Sequence, residues 1–137
     1  MSETLNVCGL TIERGTKLRT YLPVPDTNVK IPLTIINGEN DGPTLLITAG
    51  IHGGEYPGIA AAMELGRDIE PEHVTGCLIM MHPVNIQGFW ARREMIVPED
   101  GKNLNRVFPG DPTGTLADKT AYLISNNFFP IADFYVD

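Results

Sequence analysis

Apolar positions along this chain fall into short runs of two different periods, separated by clusters of Gly, Pro, Asn and Asp. Residues 1–30 alternate only weakly, as in Lys17-Leu-Arg-Thr-Tyr-Leu-Pro23, and predict short strands and turns at the surface. Residues 31–36 and 44–48 are β-rich runs. The turn-forming stretch Asn37-Gly-Glu-Asn-Asp-Gly-Pro43 between them predicts a hairpin with a long loop. Pro57 then suits the first turn of a helix, where its missing N–H costs nothing. From there Ile59, Ala62, Met63, Gly66 and Ile69 recur at helical spacing, and Pro71 sits in a break. Cys77 to Met81 is a continuous apolar run, the pattern of a strand buried on both faces.

Residues 83–111 show no sustained period and are rich in Gly, Pro and polar side chains. An irregular stretch of that length is usually functional or disordered. Thr115 and Asp118 have the spacing of a capping box, and Leu116, Thr120, Ile124 and Phe128 form one helical stripe. Residues 132–137 alternate as a strand. This order predicts an α/β fold: a mixed, largely parallel sheet flanked by helices, which reads as truncated after its last strand. With no repeat or linker, the whole of 1–137 is expected to belong to one domain. Residues 1–30 would be a peripheral β segment and 31–137 the α/β core.

Composition changes this picture little. The chain is 42% hydrophobic and 20% charged, an ordinary globular balance. Its net charge of −7 argues against nucleic acid as a partner, since phosphate binding needs a basic face. A local cluster such as Arg92, Arg93 and Arg106 still leaves an acidic small molecule open as substrate. No run approaches the length needed to cross a bilayer, and Met-Ser-Glu-Thr lacks the basic-then-apolar pattern of a signal peptide. Cys8 and Cys77 have no paired spacing and read as free thiols, which makes the cytoplasm the expected location. Cys77 is expected in the core. An apolar patch or sheet edge left uncovered by a truncated sheet would favour self-association.

The candidate chemistry lies at two places. His52 and Glu55, three residues apart, stand just past an apolar strand and just before a helix, and zinc accepts both imidazole and carboxylate. Loops at that position are where α/β proteins carry their sites. The bland alternative is a solvated turn with a glutamate favoured by the helix dipole. Asn105 and Arg106 follow the turn at Asp100-Gly101, and an arginine fork beside an amide suits a carboxylate. Ion pairing of Arg106 within the loop is the plainer reading. Arg92 and Arg93 are candidates for polarising a carbonyl, or an ordinary basic pair. His82, at a strand end, is expected to be hydrogen-bonded rather than a ligand, and His73 to be exposed.

Three segments together carry a resemblance: Thr48-Ala-Gly-Ile-His52-Gly-Gly-Glu55, Pro83-Val-Asn-Ile-Gln-Gly-Phe89 and Asp100-Gly-Lys-Asn-Leu-Asn105-Arg106-Val-Phe-Pro-Gly110. In this order and spacing the chain resembles the amino-terminal half of the succinylglutamate desuccinylase/aspartoacylase family, relatives of the M14 zinc carboxypeptidases. The resemblance implies a zinc carboxypeptidase-like fold and a zinc-dependent deacylase that hydrolyses the amide bond of an N-acyl amino acid. His52 and Glu55 would be two of three zinc ligands, and Asn105 and Arg106 would bind the substrate carboxylate. Arg92 or Arg93 would polarise the scissile carbonyl. The family's third ligand, a histidine, and its general-base glutamate fall later than Asp137, so this chain by itself is expected to be inactive. A carboxypeptidase-type peptidase shares the same residues and is the alternative enzyme. A short binding protein retaining half the fold is the alternative outside catalysis.

Overall fold

The β-rich runs and helical stripes assemble into a layered α/β structure, described for residues 3–137 in a computed structural model. The first two residues of the expected peripheral segment lie outside the described part. Strands β1 (Thr4–Val7) and β2 (Leu10–Glu13) form an antiparallel ribbon. Five further strands make the main sheet: β3 (Thr16–Pro23), β4 (Lys30–Asn37), β5 (Asn40–Thr48), β6 (Thr75–Met81) and β7 (Phe134–Val136). Their spatial order is β3-β4-β6-β5-β7. β4 is antiparallel to β3 and β6, whereas β5 is parallel to β6 and β7, so the sheet is mixed and its parallel half lies at β6-β5-β7.

The expected hairpin between residues 31–36 and 44–48 does not form. β4 and β5 do run in opposite directions, but β6 lies between them. Burial gives the reason: Ile79, Met80 and Met81 are fully buried, and a run that is apolar on both faces belongs at the centre of a sheet. Two glycines let the chain leaving β4 pass tightly against the start of β6. Gly38 N–H donates to Gly76 O at 2.9 Å. A Cβ on Gly38 would sit 2.0 Å from Val74 O, and one on Gly76 2.0 Å from Pro43 O.

Helices cover both faces. α1 (Tyr56–Asp68) begins with Pro57 in its first turn and buries Ile59, Ala62 and Gly66, as the helical spacing predicts, while Met63 stays exposed. α3 (Leu116–Asn127) opens at Thr115, whose N–H and Oγ both donate to Asp118 Oδ2 at 3.0 Å. It packs Ala117, Ala121, Ile124 and the following Phe128 against Leu33, Ile35, Leu46 and Ile79 on the other face. The steps from β5 to β6 and from β6 to β7 run in opposite directions along the sheet, so the right-handed rule expects the two helices on opposite faces. The early segment is more than a fringe, because Val7, Ile12, Leu22 and Val24 join this main core. Lys17 on β3 donates to Arg67 O and Ile69 O at 3.0 and 2.7 Å, closing the carboxyl end of α1.

Three side chains complete the comparison. His82 is buried and pairs with Thr34 Oγ1 at 2.9 Å, as expected, and His73 is exposed. Cys77 is half-buried rather than core: it stands near the start of β6, and its thiol donates to Asn37 Oδ1 at 3.2 Å. No helix among the described residues is long and apolar enough to cross a membrane.

Candidate metal and substrate site

Loops leaving the carboxyl ends of β5 and β6 build the site. After β5 the chain turns at Gly50, where φ is +71° and a Cβ would press on Pro83 and Ile59 at 2.6 and 2.8 Å. Ala49 and Gly50 carbonyls accept from the Val84 and Asn85 N–H groups at 2.9 Å each, tying the two loops together. Asn85 then caps α2 (Ile86–Trp90): its Oδ1 accepts from Gly88 N–H at 2.9 Å, and its Nδ2 donates to Ile96 O at 3.0 Å. The helix ends with Arg92 in the left-handed region, φ +55°. Arg92 N–H reaches Phe89 O and Arg93 N–H reaches Gly88 O, at 3.2 and 2.9 Å, the paired closure that usually takes glycine at the Arg92 position.

Gly53 and Gly54 let these loops close on His52. A Cβ on Gly53 would lie 2.4 Å from Phe89 N, and one on Gly54 2.8 Å from Glu94 Cα. His52 therefore stands on a loop wedged between α1 and α2. Its Nδ1 meets Glu55 Oε1 at 2.8 Å, and its Nε2 meets Asn103 Oδ1 at 2.9 Å. Asn103 Oδ1 also accepts from Asn105 N–H at 3.0 Å, which orients the amide oxygen toward both donors. Nε2 is thus the donor to Asn103, and in a neutral imidazole Nδ1 presents a lone pair to the Glu55 carboxylate. The Glu55 carboxylate therefore favours a proton on Nδ1, and with that proton removed the same two atoms are an imidazole nitrogen and a carboxylate oxygen side by side. Burial alone would lower the His52 pKa, but the hydrogen bonds to Glu55 and Asn103 and the charges of Glu55 and Asp137 outweigh it and raise it.

The loop that supplies Asn103 is held from below. Leu104 is fully buried and starts a 3₁₀ turn, Leu104–Arg106. Asp100 accepts from Lys102 N–H at 3.0 Å and from Ala117 N–H, at the start of α3, at 2.8 Å. Lys102 Nζ donates to Asp118 at 2.5 Å, and this contact with the Thr115 bonds holds the Asp118 pKa below the usual carboxylate range.

The structure brings His52 and Glu55 together and places Asn105 and Arg106 on the turn that begins at Asn103. Asn105 and Arg106 are exposed, and their side chains make no hydrogen bond or ion pair among the described residues. Arg92 lines a shallow groove with Tyr56, Met63, Phe89 and Trp90, on the side of α1 away from Glu55. Arg93 is exposed one residue further on, beside the Glu94 that packs on Gly54. Asn103, which bonds His52, is not among the residues that the sequence singles out. The available signal was Leu104: a lone apolar residue in a polar loop has to be buried, and burying it fixes its neighbours.

Zinc fits the donors that are present. Imidazole nitrogen and carboxylate oxygen are its usual N and O ligands, and a ligating histidine characteristically donates its other N–H to an oxygen acceptor, as His52 does to Asn103. The fit covers two positions, because no group of three His, Cys, Asp or Glu residues suited to a metal occurs among the described residues.

Comparison with known proteins agrees with this geometry. Residues 41–137 match the succinylglutamate desuccinylase/aspartoacylase catalytic domain. The chain is 39% identical over 124 residues to the N-alpha-acetyl-L-2,4-diaminobutyric acid deacetylase of Halomonas elongata, a match covering 85% of this chain and 36% of that protein. It superimposes on the product-bound ectoine utilization protein EutE (DoeB) of Ruegeria pomeroyi with a TM-score of 0.86 at 35% identity, covering 100% of this chain and 43% of that one. The succinylglutamate desuccinylase/aspartoacylase of Rhodobacter sphaeroides gives 0.84 at 35% identity, covering 99% and 43%. The chain therefore spans about two-fifths of the length of these relatives. By its matched domain, its fold and its motifs, the chain belongs to the succinylglutamate desuccinylase/aspartoacylase family.

Proposed function

We propose that this chain carries the zinc- and carboxylate-binding half of a deacylase that hydrolyses the amide bond of an N-acyl amino acid. The observation that supports this reading best is the 2.8 Å approach of His52 Nδ1 to Glu55 Oε1, with the opposite ring nitrogen tethered to Asn103. His52 and Glu55 would hold the ion, which supplies a Lewis acid at the scissile amide. Asn103 keeps the imidazole in the tautomer whose lone pair faces Glu55. Asn105 and Arg106 offer free amide and guanidinium donors to the carboxylate of an acidic small molecule, fixing it relative to His52. Of the two upstream arginines we assign Arg93 to the scissile carbonyl, because Arg92 lines the aromatic groove instead. The two free cysteines fit a cytoplasmic protein.

Equilibrium dialysis against zinc tests the metal half of the reading. Binding should fall at least tenfold in both His52→Ala and Glu55→Ala, and equal zinc retention by all three proteins would refute it. The chain alone should leave Nα-acetyl-L-2,4-diaminobutyrate intact, since a third donor has to join the pair. In a form completed by the remainder of the family domain, Arg106→Ala should raise KM at least tenfold with kcat much less affected.

A further inference from the structure

Helix α1 is apolar on two faces. Ile59, Ala62 and Gly66 are buried on the sheet, while Tyr56, Ala60 and Met63 form a second stripe at i, i+4 and i+7 that faces solvent. No charged side chain occurs from Tyr56 to Met63, although a surface helix ordinarily turns a charged face outward. α2 sets Phe89 and Trp90 beside this second stripe, and a groove of about 490 Å³ lies between them. The Tyr56 and Trp90 rings stand at 84° and 76° to that of Phe89, with centroids 5.9 and 5.2 Å away. Phe89 packs in turn on Ala49, Ile59 and Ala62, so the walls are formed before anything binds. Arg92 supplies the groove's one charge, and its guanidinium makes no hydrogen bond or ion pair among the described residues. Glu94 packs on Gly54 and Glu55 meets His52, so neither carboxylate neutralises it.

We propose that this groove binds a small carboxylic acid with an aromatic body, its carboxylate on the Arg92 guanidinium and its ring against Tyr56 and Trp90. Charge selects the head group. A guanidinium fork matches the two oxygens of a carboxylate, and in a chain of net charge −7 an uncompensated arginine is a local exception. The rings select the body, because aromatic side chains gain from stacked or edge-on contact with a flat partner. Size selects a small molecule over a second copy of this chain. Tyr56, Met63 and Trp90 are 49%, 48% and 73% exposed, which leaves on the order of 300–400 Å² of apolar surface to cover. A stable protein interface takes about 800 Å² from each partner, whereas ligand sites have volumes of about 300–1,000 Å³. The groove lies on the side of α1 away from Glu55, so the proposal depends on neither zinc nor deacylation.

Trp90 is the only tryptophan, so its fluorescence reports on the groove directly. The chain is titrated with hydrocinnamate and with hydrocinnamamide, which has the same body without the charge. Hydrocinnamate should change Trp90 emission saturably in the low millimolar range, and the amide should bind at least tenfold more weakly. Arg92→Gln should weaken hydrocinnamate binding at least tenfold and leave the amide unchanged. Ala60→Glu, at an exposed helix position, puts a carboxylate into the groove and should abolish binding of the acid while circular dichroism shows the fold intact. Saturable binding of the acid that both substitutions remove supports the site. Equal affinity for acid and amide overturns it, as does an acid titration that fails to saturate in that range. A loss in Arg106→Gln but not in Arg92→Gln also overturns it, by placing the carboxylate on the other loop. Blue-shifted Trp90 emission with a doubled mass as the chain is concentrated would make the occupant a second copy, and overturns it equally.

Discussion

Adding one methyl group at Gly53 should damage the site and the fold together, whereas the same change at Gly58 should stabilise the protein. Gly53 lies outside the left-handed region, so the cost of alanine there is contact alone. Its Cβ would fall 2.4 Å from Phe89 N, 2.6 Å from Gly88 C and 3.1 Å from Asn85 O, all backbone atoms. Restoring ordinary van der Waals separation requires α2 to retreat by about 1 Å. Asn85 resists that retreat, because it bonds both Gly88 N–H and Ile96 O. Overpacking against a fixed backbone typically costs about 1–3 kcal/mol, and the double clamp places Gly53→Ala in the upper half of that range. Gly58 sits in the first turn of α1, exposed, with nothing within 4 Å of its added Cβ. Alanine there should gain about 0.5–1 kcal/mol from the lower entropy of the unfolded chain and its helix propensity. Urea unfolding of both variants, followed by circular dichroism at constant m, reads the two signs directly. Zinc retention should fall in Gly53→Ala and persist in Gly58→Ala. A Gly53→Ala protein as stable as wild type would show that α2 is free to move, and the wedge that positions His52 would have to be abandoned.

Three further outcomes follow from particular contacts. Asp100→Ala removes two carboxylate acceptor bonds, one of them at the start of α3, and should cost about 1.5–3 kcal/mol in urea unfolding, with Asp100→Asn losing less. Arg92→Gly relieves a left-handed arginine and should stabilise by about 0.5–1 kcal/mol net of chain entropy, whereas Arg92→Ala should not; equal melting temperatures for the two variants would refute the strain. Burial pushes the His82 pKa down. Its neutral form therefore contributes stability that is fully present above the ordinary histidine value near pH 6.5 and is lost as pH falls toward the depressed folded value, with a slope no steeper than about 1.4 kcal/mol per pH unit. His82→Gln should flatten that part of the pH–stability curve, and an unchanged slope would place the titration elsewhere.

The legible parts of this protein were those fixed by local pattern. Ile59, Ala62 and Gly66 declare a helix by spacing, Thr115 and Asp118 declare its successor's start, and residues 77–81 declare a central strand by being apolar throughout. The hairpin between β4 and β5 was misread because sequence proximity and a turn-rich loop describe direction but not neighbours. Strand order depends on which run gains most from being covered on both sides, a comparison across the whole sheet. Cys77 is half-buried for a related reason: it stands at the start of the apolar run, and how far the core covers a strand's end depends on the layers packed over it.

At the candidate site, residue type singles out His52 and Glu55, but the partner that orients the imidazole comes from about fifty residues away. Asn103 reaches His52 only because Leu104 is buried, Asp100 is bonded to the start of α3, and α3 is packed on the sheet face opposite α1. The orientation of one imidazole is therefore a property of both helical layers. The fold holds the ring so that its second nitrogen meets Glu55, and a proton on Nδ1 satisfies both side chains. A histidine and a glutamate three residues apart are common, but here a distant packed layer fixes the ring between Glu55 and Asn103.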